Sequence, residues 1–239
     1  KVPAGTPTYD HWGEAFTTGH TFDNVLSVGG GDDRRTFFLS AGNTFQNGTI
    51  VGDHDKYNRT TGRLKATQFV GSKLRLGGNV AYSDVRSDYV QKGNNLNGLL
   101  LGLARTPPDF NNFPYLVDGL HRSYRYPNPA NATDDRVYDN PFWVINEDRN
   151  TSRVGRSIGN FNVDWDALSW LNVKYTLGAD HASDERIEGL PPQSSGYDGG
   201  TIWQGTYNAL QLDHNLVATA QRKWGQALAT TLTLGTLSA

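Results

Sequence analysis

The chain has 239 residues and a net charge of −2, from 22 basic and 24 acidic side chains, so no basic arm or acidic tail directs it to nucleic acid or to a polycationic partner. It has no cysteine, which excludes disulfide scaffolds, thiolate metal sites and cysteine nucleophiles and fits an oxidising periplasmic route. Core size is not limiting at this length. Hydrophobic residues nevertheless make up only 36%, whereas 27 Gly, 11 Tyr, 10 Phe and 6 Trp suit many strands with aromatic ends.

A barrel with a watery inside needs only one apolar face, and that would give the mean hydropathy of −0.57 without disorder. No run approaches the ~20 apolar residues of a spanning helix. The chain lacks an initial Met and a signal peptide, and it stops at Leu234-Gly235-Thr236-Leu237 inside what reads as a strand. A segment of a longer polypeptide is the expectation.

In chain order, residues 1–19 form a connector with Pro3, Gly5 and Pro7 and the aromatic anchors Tyr9, Trp12 and Phe16. A strand over Thr21 to Val28 is expected to end in a flexible turn at Gly29-Gly30-Gly31-Asp32-Asp33. The next strand sets Phe37, Leu39, Ala41 and Phe45 against Thr36, Ser40, Gly42 and Thr44, with Phe38 as the exception on the polar face. After a medium connection from Gln46 to Lys56, a third strand runs from Asn58 to Phe69 and turns at Gly71-Ser72-Lys73. The fourth alternates cleanly, Leu74, Leu76, Gly78, Val80 and Tyr82 against Arg75, Gly77, Asn79, Ala81 and Ser83, and Asp84 to Gln91 extends it. Residues 84–150 then form a long loop with a short helix over Leu96 to Leu103, and its prolines forbid continuous sheet.

The most informative stretch follows, from Phe161 to Leu177. Phe161, Val163 and Trp165 share one face, and after a link over Asp166 to Ser169 so do Leu171, Val173, Tyr175, Leu177 and Ala179. Trp165 and Trp170 bracket the link. Indole is apolar with one N–H donor, so two tryptophans beside a short polar turn suit a membrane–water interface. A hairpin of a soluble sandwich is the alternative from this stretch alone. A second long loop over residues 182–204 leads to strands over Tyr207 to Thr219 and Ala227 to Leu234, joined by Gln221 to Gly225 with Trp224.

Connection lengths sort the alternatives, because every second link is tight. Outer-membrane barrels alternate short periplasmic turns with long extracellular loops, and a sandwich has no reason to do so. The expected fold is therefore all-β: an antiparallel up-and-down transmembrane β-barrel segment of about eight strands over residues 20–239, with 84–150 and 182–204 as extracellular loops. Leu74, Leu76, Val80, Tyr82, Leu171, Val173, Tyr175 and Leu177 would face lipid, and Trp165, Trp170 and Trp224 would lie at the interface.

Several segments then resemble the SusC/RagA-like branch of TonB-dependent outer-membrane transporters. They are His20 to Gly31 (HTFDNVLSVGGG), Arg35 to Gly48 (RTFFLSAGNTFQNG), Tyr57-Asn58-Arg59 with Arg63-Leu64, and Gln91 to Pro107 (QKGNNLNGLLLGLARTP). Asn140-Pro141-Phe142-Trp143 and Asp10-His11-Trp12 with Phe16 and Gly19 look like the same family's punctuation. The resemblance implies a bacterial outer-membrane barrel of about 22 strands around a plug. It implies import of oligosaccharides or peptides, a SusD-like surface lipoprotein lid, and energy from the TonB complex. This chain would supply only the first part of that barrel, next to membrane lipid and the rest of the wall and plug.

No constellation points to an enzyme, a metal or a cofactor. Asp53, Asp55 and Asn58 lack the turn Gly and acidic twelfth position of a calcium loop. His11, His20, His54, His121, His181 and His214 are too scattered for zinc. Asp180, Asp184 and Glu185 read as rim charges rather than a glycosidase pair, and no nucleophile elbow or phosphate loop occurs. Asn47-Gly48-Thr49 and Asn131-Ala132-Thr133 match a glycosylation pattern that a bacterial origin makes irrelevant. In the long loop, Tyr115, Arg122, Tyr124, Tyr126, Tyr138, Phe142, Trp143 and Arg149 form the expected substrate or partner surface, since sugar rings stack on aromatic faces and arginines bond hydroxyls. Two other readings stay open: a soluble all-β carbohydrate-binding module, and a barrel fragment that self-assembles through unpaired edges.

Overall fold

The computed structural model describes residues 3–131 and 138–238. Lys1, Val2, Ala239 and the Ala132-Thr133 part of the second glycosylation pattern lie outside the described residues. The elements run α1 (His11–Ala15), β1 (His20–Asp32), β2 (Arg35–Asn47), β3 (Lys56–Val70), β4 (Leu74–Asp88), α2 (Leu99–Arg105), β5 (Leu116–Val117), β6 (Leu120–His121), α3 (Pro141–Asn146), β7 (Arg149–Leu168), β8 (Leu171–Leu190), β9 (Thr201–Trp224) and β10 (Leu228–Ser238). Eight strands form one sheet in the order β1-β2-β3-β4-β7-β8-β9-β10, and every neighbouring pair is antiparallel. This is an up-and-down β-barrel segment; β5 and β6 make a small ribbon of their own.

Most boundaries shift by a few residues, the helix expected over Leu96 to Leu103 lying at Leu99–Arg105, and three differences bear on the sheet. Gly29, Gly30 and Gly31 are not the first turn but the end of β1, and the chain reverses at Asp33-Arg34, where Asp32 Oδ1 accepts from Arg34 N at 2.8 Å and Arg35 N at 3.0 Å. Gly29 and Gly30 pair with Phe38 and Phe37, whose rings lie over the positions a Cβ would take, and a Cβ on Gly31 would run into the Arg35 carbonyl. Phe38 on the polar face thus covers bare backbone.

The second difference is at Ala182 to Gln204. The ladder continues through Leu190 and resumes at Thr201, so only residues 191–200 connect β8 to β9. Both faces mix polar and apolar side chains there, which erases the hydropathy period while main-chain pairing persists. The third is at the final hairpin, where β9 runs through Gln221 to Trp224 before turning.

Register fixes which side chains share a face. Leu74, Leu76, Val80 and Tyr82 stand beside Trp165, Val163, Gly159 and Ser157. Leu171, Val173, Tyr175 and Leu177 continue that face on β8, followed by Leu216 and Leu212 on β9 and Leu232 and Leu234 on β10. In the other direction it runs through Leu64 and Ala66 on β3, Leu39 and Phe37 on β2, and Val28 on β1. Among the described residues no second sheet covers it, and none of the fully buried apolar side chains belongs to the eight strands. Leu26 is 79% exposed and Val80 49%. This is not how a sandwich is built, because its two inner faces bury each other.

The dry core lies instead in the connections. Ala15, Ile50, Val90, Leu99, Leu103, Phe142, Val144 and Ile145 pack into one cluster over the long-connection end of the sheet. Four separate stretches of chain meet there, so the irregular segments form a cap with its own apolar interior.

Candidate functional site: a polar wall and a loop cap

The face opposite the apolar one is polar and cross-bonded. Asn79 Nδ2 and Asn162 Nδ2 both donate to Asn160 Oδ1 at 2.9 Å, and Thr176 Oγ1 donates to Asn162 Oδ1 at 3.0 Å. Nearer the tight turns, Asp164 accepts from Arg75 Nη2 at 3.0 Å and from Asn172 Nδ2 at 2.8 Å, with Lys174 3.7 Å away. Arg156 grips Asp180 with two nitrogens, Nε to Oδ1 at 2.9 Å and Nη2 to Oδ2. Asn79, Asn160, Thr176, Asp180, Gln211 and Asp213 line a concavity of about 650 Å³ on this wall. Such a surface holds water and polar solutes and has nothing to offer lipid.

At the tight-turn end, Trp165, Trp170 and Trp224 are each about half exposed, and Trp224 Nε1 donates to Thr230 Oγ1 at 3.0 Å. Between Leu74 and Tyr82 the outward face of β4 carries no charge, and that length matches the 9–11 residues of a membrane-crossing strand.

The loop cap is held by a buried polar knot. His121 Nε2 accepts from Asn140 N at 3.0 Å, so the ring proton sits on Nδ1, which lies 3.2 Å from the Gln193 carbonyl and 3.6 Å from Asp139 Oδ1. Asp139 accepts from Asn97 Nδ2 and from Ser195 N, both at 2.8 Å. Trp143 stacks on His121 at 4.4 Å and donates to Ser194 Oγ at 3.1 Å. The β4–β7 and β8–β9 connections are thereby stitched into one unit. Asn140 also caps α3 by accepting from Phe142 N, with Pro141 in the first turn. The sequence signal for that helix start is present in Asn140-Pro141, but nothing in the spacing of His121, Asp139 and Ser195 joins them before folding.

The eight residues expected to form a substrate surface separate into four groups. Tyr126, Phe142 and Trp143 are buried and pack the cap rather than facing outward. Tyr115 and Arg122 are structural: Tyr115 donates to Glu147 Oε1 at 3.0 Å, and burial followed by that acidic partner pushes its hydroxyl up. Arg122 bonds the carbonyls of Asn111, Pro114 and Pro127 and lies over Phe110, and burial lowers its ordinary value. The accessible remainder is an aromatic stack: Tyr124 and Tyr138 lie 6.2 Å apart and nearly parallel, with Arg125 over one ring and Arg105 over the other. Arg149 is exposed and stands apart, on the apolar side of the sheet.

No group of three or more metal-ligating side chains gathers among the described residues. No helix among the described residues is long and apolar enough to cross a membrane, which leaves strand crossing untouched.

No protein-family model matches the chain, and no curated protein matches it in sequence. The fold is similar to solved structures of the RagAB peptide importer in its closed-closed and open-open states, each with a TM-score of 0.69 and 18% identity. A structure of the RagAB peptide transporter gives the same TM-score at 17% identity. In all three cases 95% of this chain aligns with 25% of the other, so the chain spans about a quarter of those proteins' length.

Proposed function

We propose that this chain is a section of the wall of a SusC/RagA-like, TonB-dependent importer in a bacterial outer membrane. One observation carries the reading: an uncovered apolar face, one bilayer tall and edged by tryptophans, backs onto a hydrogen-bonded polar face. Lipid would contact Leu74, Leu76, Val80, Tyr82, Leu171, Val173, Tyr175 and Leu177, and the interface would lie at Trp165, Trp170 and Trp224. The connections within 84–150 and 182–204 would face the outside, under a SusD-like lipoprotein. The remaining strands, the plug and the TonB contacts would come from further chain.

The cargo on this reading is a peptide or an oligosaccharide, and the similarity to peptide importers favours the former. Its outermost contact would be the Tyr124–Tyr138 stack, whose flanking arginines suit carboxylate groups and whose rings suit flat side chains. Spin labels at Val80 and Val173 in the membrane-embedded protein test the wall. Collision with lipid-dissolved oxygen rather than aqueous reagent is expected, and bulk-water accessibility at both positions would refute the assignment.

A further inference from the structure

On the cap side of the apolar band, the polar face of β9 carries two aromatic side chains, whereas the wall below them carries Gln211, Asp213 and Asn215. Trp203 and Tyr207 alternate in step with those residues and are 54% and 66% exposed. Among the described residues no other ring and no guanidinium packs on either, and neither the indole N–H nor the phenol O–H has a hydrogen-bond partner. Gly205 stands between them, and the indole folds back over it: a Cβ there would come within 2.5 Å of the Trp203 Cη2 and 2.7 Å of its Cζ2. The bare backbone therefore lets the ring lie along the strand toward Tyr207, with its other side open.

The neighbouring strand supplies polar groups in register. On β8, Glu188, Arg186 and Asp184 stand opposite Trp203, Gly205 and Tyr207. Arg186 donates to Asp184 from Nε at 3.2 Å and from Nη2 at 2.8 Å, and the Tyr89 hydroxyl donates to Glu188 Oε1 at 3.3 Å. Nη1 of Arg186 and Oε2 of Glu188 have no hydrogen-bond partner among the described residues. The same three rows on β7 hold Asn150, Ser152 and Val154, which carry no charge. Asp184 and Arg186 cancel, and Glu188 leaves one negative charge, which disfavours an anion. Arg186 occupies the middle row between the two carboxylates, which disfavours a cation set over the rings.

We propose that Trp203 and Tyr207 form a platform for the rings of a neutral oligosaccharide. The C–H face of a sugar ring stacks on an aromatic face, while its hydroxyls accept from the indole N–H and Arg186 and donate to the carboxylates of Asp184 and Glu188. This inference rests on the membrane-wall reading given above, on which the platform lies on the inner surface. A further strand pairing beside β9 would flank the platform without covering it. Of the two cargoes considered, these residues select the oligosaccharide, although the fold similarity favours a peptide.

The test uses the protein purified from its membrane and placed in vesicles, with native mass spectrometry reading which solutes it retains. One pool holds neutral hexasaccharides built on glucose, mannose, xylose or fructose, and a second holds tripeptides of lysine and tryptophan. Retention of at least one hexasaccharide is expected, falling about tenfold in Trp203→Ala and in Tyr207→Ala and largely restored in Trp203→Phe. Gly205→Leu, which evicts the indole and spares every hydrogen-bonding group, is expected to lose as much. Circular dichroism of each variant verifies the sheet. Failure to retain any hexasaccharide would overturn the proposal, as would equal retention by wild type and the variant lacking both rings. Ring-dependent retention of tripeptides in place of sugars would overturn it in favour of a peptide platform. Spin labels at Val80 and Val173 in the same vesicles separate the two readings: lipid-facing labels without sugar retention remove the platform alone, and water-facing labels remove the wall.

Discussion

Asp148 is the residue whose environment disagrees most with its chemistry. Its side chain is buried, neither carboxylate oxygen has a hydrogen-bond partner among the described residues, and burial, with Asp139 and Glu147 nearby, pushes its carboxyl up to about 8. The unfolded carboxyl keeps its ordinary value near 3.8, so folding of the cap takes up a proton between about pH 4 and pH 8. The cap is thus most stable at low pH, loses stability as pH rises through that window, and levels off above the native value. Asp148→Asn is expected to flatten the profile and to stabilise the cap at pH 8 by a few kcal/mol, since each tenfold difference in proton affinity between the folded and unfolded chain is worth about 1.4 kcal/mol. Slower hydrogen exchange at the Glu147 amide, which bonds to the Trp143 carbonyl, would register it; an unchanged exchange rate would count against a buried acid. None of this is legible in the sequence, where nothing around Glu147-Asp148 announces burial. Phe142 and Trp143 mislead in the other direction, because aromatic content does not say whether a loop uses its rings to bind or to fold on itself.

Among the elements, the strands that alternate are readable and the stretches that stop alternating are not. β4 and the tight-turn ends of β7 and β8 follow from period two alone, because one face is apolar and the other polar. Above the apolar band that contrast vanishes, so Ala182–Leu190 and Thr201–Gln204 read as loop although their backbones pair throughout. The Gly29-Gly30-Gly31 run misleads for a related reason: the residues that make it a strand, Phe37 and Phe38, sit on the neighbouring strand. The face assignment carries its own prediction. Val80→Arg is expected to cost about 2–3 kcal/mol of stability in a bilayer, and Thr67→Arg, on the polar face, less than about 1 kcal/mol. Urea titrations of vesicle-inserted protein would measure both, and equal costs would mean that the two faces see the same solvent.

At the scale of the molecule, β1 and β10 each offer one unpaired edge among the described residues. Backbone donors and acceptors along 13 residues of β1 and 11 of β10 demand partners, in hydrocarbon most of all. The chain produced alone is therefore expected to assemble through those edges, and light scattering showing a stable monomer would contradict an open wall. On the proposed wall reading, adjoining strands of a longer barrel would satisfy those edges.

The strands do not stop where the apolar band does. β9 runs for 24 residues and β7 and β8 for 20 each, about twice what a bilayer crossing consumes. The surplus makes a stiff parapet, continuous with the wall and roofed by the cap. On the proposed wall reading, large bodies approaching from outside would be stopped at its crest, well short of the lipid, while small solutes reached the polar face.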